Sequence, residues 1–105
     1  MRFIETRLFT RQITALLDDA SYALLQRALL QDQTLGDIIQ GSGGIRKLRW
    51  AAKGHGKSGG ARVIYYRAVS KETILMLDAY PKSVKVDLTK EEIKKLRRIV
   101  EEEYP

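Results

Sequence analysis

The chain has 105 residues, of which 44% are hydrophobic and 30% charged, and it contains no cysteine. This length and composition predict one folded domain over residues 1–105, and they exclude a disulfide scaffold or a zinc site with thiolate ligands. No apolar run is long enough for a membrane span, and the N-terminal residues lack the apolar core of a signal peptide. We therefore expect a cytoplasmic protein without a membrane partner. The formal net charge of +6 predicts an acidic partner, and nucleic acid is the first candidate.

The first third of the sequence predicts a strand followed by two helices. Residues 3–8 alternate imperfectly between apolar and polar side chains, as in a short strand. From Phe9 the apolar residues take helical spacing, with Ile13 as the next member of the stripe. A second helix is predicted to begin with Ser21 as its N-cap and to bury Leu25 and Leu29. Both helices are expected to be structural.

Three runs of strand-like residues follow, at residues 45–52, 61–69 and 73–80. Glycines at positions 41, 43 and 44 predict a tight turn before the first run, and the loop KGHGKSGG joins the first two runs as a hairpin. Alternation along the first strand puts Leu48 and Trp50 on one face and Lys47 and Arg49 on the other. If the apolar face packs against the helices, Arg62 projects on the same side as Lys47 and Arg49.

The C-terminal segment carries the clearest helix signal. Thr89 and Glu92 have the spacing of a capping box, and Leu88 and Ile93 have that of a hydrophobic staple. The predicted order of elements is therefore β-α-α-β-β-β-α, which is an α+β fold.

The positive charge is concentrated in the hairpin. Between Asp37 and Glu72 the sequence contains eight of its 19 basic residues and no acidic one, so the rest of the chain has a net charge of −2. A cationic hairpin of this kind is suited to binding phosphate groups.

The residues available for chemistry are cations rather than metal ligands. The single histidine, His55, lies between glycines in the hairpin loop, where an exposed loop residue is favoured over a catalytic one. Asp78 and Asp87 have no evident carboxylate partner, which disfavours a two-metal nuclease, and no metal or cofactor site is predicted. Arginine and lysine side chains can instead stabilise the negative charge that grows on a reacting phosphate.

Two stretches resemble the RelE/HigB family of bacterial toxins, most closely its HigB-like branch. They are GDIIQGSGGIRKLRWAAKGHGKSGGARVIYY and YPKSVKVDLTKEEIKKL, and the match in element order covers nearly the whole chain. The resemblance implies a small antiparallel sheet, with two N-terminal helices on one face and a catalytic basic concavity on the other, and a C-terminal helix. It implies metal-independent cleavage of messenger RNA on the translating ribosome. It also implies silencing by a cognate antitoxin, similar to HigA or RelB and expected to bind DNA.

The resemblance also implies the catalytic residues. Lys47 and Arg49 match the family's cationic pair on the first hairpin strand, and Arg62 matches its strand arginine. Lys82 matches a basic position that follows the last strand. Members closer to the prototype have an aromatic hydroxyl near the C-terminal helix, and the nearest tyrosine in this chain is Tyr80. Five further positions are predicted to bind substrate: Arg46, Lys53, Lys57, Tyr66 and Tyr80.

Two other functions remain open at this point. One is a ParE-like toxin of the same fold, which binds and poisons DNA gyrase without being a nuclease. The other is a non-catalytic RNA-binding module. The cations carried by the hairpin favour the nuclease over the gyrase poison, and mapping of cut messages would discriminate between the three.

Overall fold

A computed structural model describes residues 1–51 and 60–104, which form three α-helices and one five-stranded sheet. The elements are β1 (Arg2–Glu5), α1 (Arg7–Leu16), α2 (Asp19–Gln31), β2 (Asp37–Ile38), β3 (Arg46–Ala51), β4 (Gly60–Ala68), β5 (Thr73–Pro81) and α3 (Lys90–Glu103). The predicted α+β fold and its element order are confirmed, with the two-residue β2 added before the hairpin. Among these helices, none is long and apolar enough to cross a membrane.

The strands lie in the order β1-β5-β4-β3-β2. β1 pairs parallel with β5, and the other neighbouring strands pair antiparallel, so the sheet is mixed. One extra residue of β5, Leu77, lies opposite the step from Ile64 to Tyr65 and forms a β-bulge. Because the bulge resets the alternation, Leu75 and Leu77 share a face with Tyr80, although strict alternation would separate them.

Helices cover both faces of the sheet. α1 and α2 pack on one face, where the core includes Phe9, Leu25 and Tyr65, all fully buried. α3 packs on the other face, where Leu96 and Val100 contact a second apolar cluster. Alternate residues of β4 belong to the two different clusters, as expected for a strand that is buried on both faces. α3 covers only part of its face, and the cationic residues lie beside it.

Each helix begins at a side chain that accepts a backbone hydrogen bond. Thr6 caps α1, and Thr89 caps α3 in the predicted capping box, in which Glu92 accepts in return from the Thr89 backbone N–H. The predicted cap of α2 is wrong. Asp18 is the N-cap, and its carboxylate accepts from the Ser21 backbone N–H at 2.7 Å. Asp and Ser are comparable N-cap residues, and the helix begins at the acidic one, three positions before the predicted cap.

A glycine allows β2 to lie close to β3. Gly36 has φ +81°, and a Cβ atom built there would lie 2.2 Å from the carbonyl oxygen of Lys47. Only glycine fits that position without displacing backbone. The close approach pairs Asp37 with Lys47 across the two strands. The tight turn predicted at glycines 41, 43 and 44 is confirmed, since all three have positive φ.

Candidate active site

Three neighbouring strands contribute a row of polar side chains on the face that α3 partly covers. Arg49 of β3 pairs directly with Arg62 of β4, and Arg62 pairs with Tyr80 of β5. Directly opposed residues of an antiparallel pair have Cβ atoms about 4.5–5.5 Å apart. Lys47 precedes Arg49 by two residues on β3, so it lies on the same face, as the alternation predicts. We call Arg49, Arg62 and Tyr80 the polar row.

Arg62 lies at the centre of the polar row and is almost completely buried, with 5% of its surface exposed. Its guanidinium group forms no ion pair with any carboxylate among residues 1–51 and 60–104. Burying a cation without an anionic partner is costly, so this arrangement is typical of a group that awaits an anionic ligand.

Gly60 leaves space for the Arg62 side chain and brings Lys82 beside it. A Cβ atom built on Gly60 would lie 3.2 Å from Nη1 of Arg62 and 3.8 Å from Cβ of Lys82. The two cationic side chains therefore border the same small space over Gly60. Lys82 is exposed and follows β5 directly, so it extends the positive charge of the polar row toward solvent.

The segment between β5 and α3 brings a carboxylate to the site. Asp87 forms an ion pair with Nζ of Lys47. The hydrogen bond from Lys47 lowers the pKa of Asp87, and the charges of Lys47, Arg62 and Arg49 lower it further, so Asp87 is ionised at neutral pH. The sequence analysis did not find this contact, because a non-periodic loop carries no signal for which strand it crosses.

Tyr80 is the deeply placed hydroxyl of the site, with 3% of its residue surface exposed. Its oxygen lies 3.5 Å from the carbonyl oxygen of Val86. Burial, followed by the charges of Asp87 and Asp78, raises the pKa of Tyr80 to about 12. The hydroxyl is therefore protonated at neutral pH and can donate a hydrogen bond there.

A lysine fixes the same segment against the strand and the helix. Nζ of Lys85 forms an ion pair with Glu92 and lies 4.8 Å from the ring centroid of Tyr80. The other carboxylate oxygen of Glu92 accepts from the Thr89 backbone N–H at 2.8 Å. The hydrogen bond from Lys85 is the main cause that lowers the pKa of Glu92. These contacts hold the segment between β5 and α3, which includes Lys82, against the beginning of α3.

A family model described as "RelE toxin of RelE / RelB toxin-antitoxin system" matches residues 1–104. The chain belongs to the RelE toxin family. It is accordingly the toxin of a toxin–antitoxin pair, and the family implies an antitoxin as its partner. The match identifies the family as a whole, and membership of the HigB-like branch stays a prediction.

Several predicted site residues of this RelE-family toxin lie apart from the polar row. Arg46 is on the opposite face, where Nη1 donates to the carbonyl oxygens of Thr34 at 3.0 Å and Gly36 at 3.3 Å. Tyr66 shares the face of Arg62 but stacks on Tyr104, with ring centroids 6.2 Å apart. The remaining ones, Lys53 and Lys57, lie outside the described residues, as does His55.

The toxin also has a cavity of about 440 Å³ beside the Lys47–Asp87 ion pair. It lies between the edge strand β2, the segment before α3 and the first turn of α3, and its lining includes Asp37, Leu88 and Ile93. Within the described part of the chain, no three histidine, aspartate or glutamate side chains are grouped so that they could hold a metal ion.

Proposed function

We propose that this toxin is an endoribonuclease that cuts messenger RNA on the translating ribosome and thereby inhibits translation. The observation that carries the proposal is the polar row, with the buried Arg62 guanidinium between Arg49 and Tyr80. A toxin that acted only by binding a protein target would gain little from burying a cation that has no carboxylate partner in the described chain. A reacting phosphate is the ligand that such a cation fits best.

RNA can be cleaved by its own 2′-hydroxyl group. The 2′-oxygen forms a bond to phosphorus, the bond from phosphorus to the 5′-oxygen breaks, and the 2′-proton is removed while the leaving oxygen gains one. Negative charge accumulates on the non-bridging phosphate oxygens while the first bond forms and the second one breaks. Cations that are already in place stabilise that charge more than the charge of the starting phosphodiester, and this difference lowers the barrier.

The four predicted catalytic residues then have distinct positions in the reaction. The planar guanidinium of Arg62 can donate to two phosphate oxygens at once, and Arg49 lies opposite it on β3. Lys47 and Lys82 border the row on two sides and would hold the neighbouring backbone phosphates. Tyr80 would donate a hydrogen bond and would not serve as a base, because its pKa is about 12.

Dependence on the ribosome follows from what these residues supply. They provide positive charge and hydrogen-bond donors, and a single-stranded message still has to be held with its 2′-oxygen in line for attack. The ribosome is the partner that would fix the message in this geometry, which is worth many orders of magnitude in rate. The antitoxin, expected to bind DNA and to be similar to HigA or RelB, would silence the toxin by covering the row or by blocking its entry to the ribosome.

Purified ribosomes test the proposal directly. Ribosomes programmed with a defined message, the same message without ribosomes, and DNA gyrase with supercoiling substrate are each incubated with the toxin. We expect new 5′ ends within ribosome-occupied codons, little cutting of the free message, and unchanged gyrase activity. Intact messages together with inhibited gyrase would instead identify a ParE-like poison. Binding of RNA with no cutting in either sample would identify the RNA-binding module.

A further inference from the structure

One lysine near the polar row lies against an aromatic ring. Lys85 belongs to the segment between β5 and α3, is half-buried, and has its Nζ 4.8 Å from the ring centroid of Tyr80. The same ammonium group forms an ion pair with Glu92 in the first turn of α3. We propose that Lys85 is a positioning residue, which holds the Tyr80 ring so that its hydroxyl group meets the reacting phosphate. This inference rests on the proposed function.

The hydroxyl group of Tyr80 is not fixed by a strong hydrogen bond of its own. Its oxygen lies 3.5 Å from the carbonyl oxygen of Val86, whereas O–H···O hydrogen bonds usually measure about 2.5–3.0 Å. A hydroxyl group that is held this loosely can donate to a ligand instead. Its direction must therefore come from the contacts of the ring, because the ring fixes the axis of the bond between the ring carbon and the oxygen.

Two carboxylates attract the Lys85 ammonium group to its place over the ring. One oxygen of Glu92 accepts from Lys85, and the other accepts from the Thr89 backbone N–H at 2.8 Å, so this carboxylate is itself held by the beginning of α3. Asp78 precedes Tyr80 by two residues on β5. Burial raises the pKa of Asp78, and the backbone N–H of Ala79 and the charge of Lys85 lower it. The lysine is thus attracted from the helix and from the strand, and the electrons of the ring attract it as well.

Two simpler roles for Lys85 fit these contacts less well. The side chains of Lys85 and Glu92 are 29% and 37% exposed, and ion pairs with this much solvent contact usually contribute little to stability. Direct binding of phosphate is disfavoured, since Nζ of Lys85 is already paired with Glu92. Lys82 in the same segment is the contrasting case, because it is exposed and forms no ion pair among residues 1–51 and 60–104.

Single-turnover cleavage of ribosome-bound message by two single variants and their combination tests the assignment. Tyr80→Phe keeps the ring and removes the hydroxyl group, and we expect it to slow cleavage about a hundredfold. Lys85→Met keeps an unbranched side chain without the charge, and it should slow cleavage about tenfold while ribosome affinity stays nearly unchanged. The double variant should cut at the rate of Tyr80→Phe alone, because no hydroxyl group remains to be positioned.

Two further variants distinguish positioning from a general loss of charge. Lys85→Arg should restore most of the rate, because a guanidinium group also stacks on an aromatic face and pairs with a carboxylate. Lys90→Met removes an exposed lysine from the first turn of α3 and should cut like the wild type. Urea unfolding is the folding control. If Lys85→Met does not fold, Glu92→Gln replaces it in the comparison, since it removes the charge that holds Lys85 and keeps the capping box.

The outcomes separate this inference from the proposed function. If the wild-type toxin cuts no ribosome-bound message, the proposed function fails and the role of Lys85 fails with it. If the wild type cuts, but Lys85→Met slows cleavage by the same factor with and without Tyr80→Phe, then Lys85 acts independently of the hydroxyl group and the inference is overturned. Equal losses of ribosome affinity and cleavage rate in Lys85→Met, or wild-type cleavage by either single variant, would also overturn it while the nuclease stands.

Discussion

Replacing Arg62 by alanine separates catalysis from folding. Arg62 is 5% exposed and lies between Arg49 and Tyr80, so its guanidinium faces the position of the phosphate in the proposed reaction. Removing one preorganised donor from such a site costs about 3 kcal/mol in the transition state, or roughly a hundredfold or more in the rate of cleavage. Arg49 remains beside the phosphate and keeps part of the stabilisation, so we expect the lower end of that range.

The same substitution is expected to have little effect on stability. Arg62 and Arg49 are like charges at directly opposed positions, an arrangement that destabilises a strand pair by about 0.2–1 kcal/mol. Alanine relieves this repulsion and the cost of burying an unpaired cation, whereas it loses the packing of the arginine stem, so the changes oppose each other. The free energy of unfolding should therefore stay within about 1 kcal/mol of the wild-type value, as for many substitutions that remove a functional group.

Single-turnover cleavage of ribosome-bound message, ribosome affinity and urea unfolding are the three measurements. Cleavage by Arg62→Ala should fall much more than ribosome affinity, and Arg62→Lys should recover part of the binding but little of the rate, because lysine lacks the planar fork. Arg98→Ala, which removes an exposed arginine from α3, is the control for loss of one positive charge. A folded Arg62→Ala protein that still cuts at nearly the wild-type rate would refute the assigned role.

Three further substitutions follow from the contacts of the site. Gly60→Ala places a Cβ atom 3.2 Å from Nη1 of Arg62. The guanidinium must then move, so the cleavage rate should fall about tenfold or more while the unfolding curve changes little. An unaltered cleavage rate would show that the guanidinium can shift freely. Asp78 is 7% exposed and burial raises its pKa, so its ionised form destabilises the folded state at neutral pH. Asp78→Asn should raise the melting temperature at pH 7. This gain should shrink as the pH falls through the raised pKa and disappear below 3.8, where the wild-type carboxyl is protonated in both states. Glu92→Gln keeps the capping box but removes the charge that pairs with Lys85, so unfolding should cost at most about 1 kcal/mol less. Because Lys85 lowers the pKa of Glu92, the difference in unfolding free energy between the wild type and the variant should be present above pH 4.5 and be lost as the pH falls through the lowered pKa. A difference that persists in acid would mean that the amide disturbs the cap instead.

Alternation along the strands predicted the central part of the site. Lys47 and Arg49 have the same parity on β3, and the sequence alone indicates that they share a face. Arg62 lies beside these two residues because the hairpin pairs Arg49 with Arg62. That register depends on the geometry of the hairpin loop as well as on the hydrophobic alternation. By the same parity Arg46 falls on the opposite face, together with Leu48.

Contacts made by the segment between β5 and α3 could not be predicted. Asp87 reaches Lys47 across 40 positions of the sequence, and no periodic pattern relates the two residues. The ion pair between Lys85 and Glu92 was partly predictable, because the capping box identified Glu92 as an ordered carboxylate at the start of α3. The bulge at Leu77 carried no signal that the sequence analysis recognised, yet it sets which face Tyr80 occupies.

The parallel pairing of β1 with β5 has a consequence for the time at which the toxin becomes active during its own synthesis. Arg2 pairs with Thr73, so the first strand of the chain has no sheet partner until the last strand has been made. The polar row likewise needs Tyr80, which is supplied by that same strand. Structures that depend on contacts so distant in sequence form late, because the chain between them must be ordered first. A growing chain would therefore carry the cations of the hairpin without the assembled site, and an antitoxin present in the cell would have that interval to meet it.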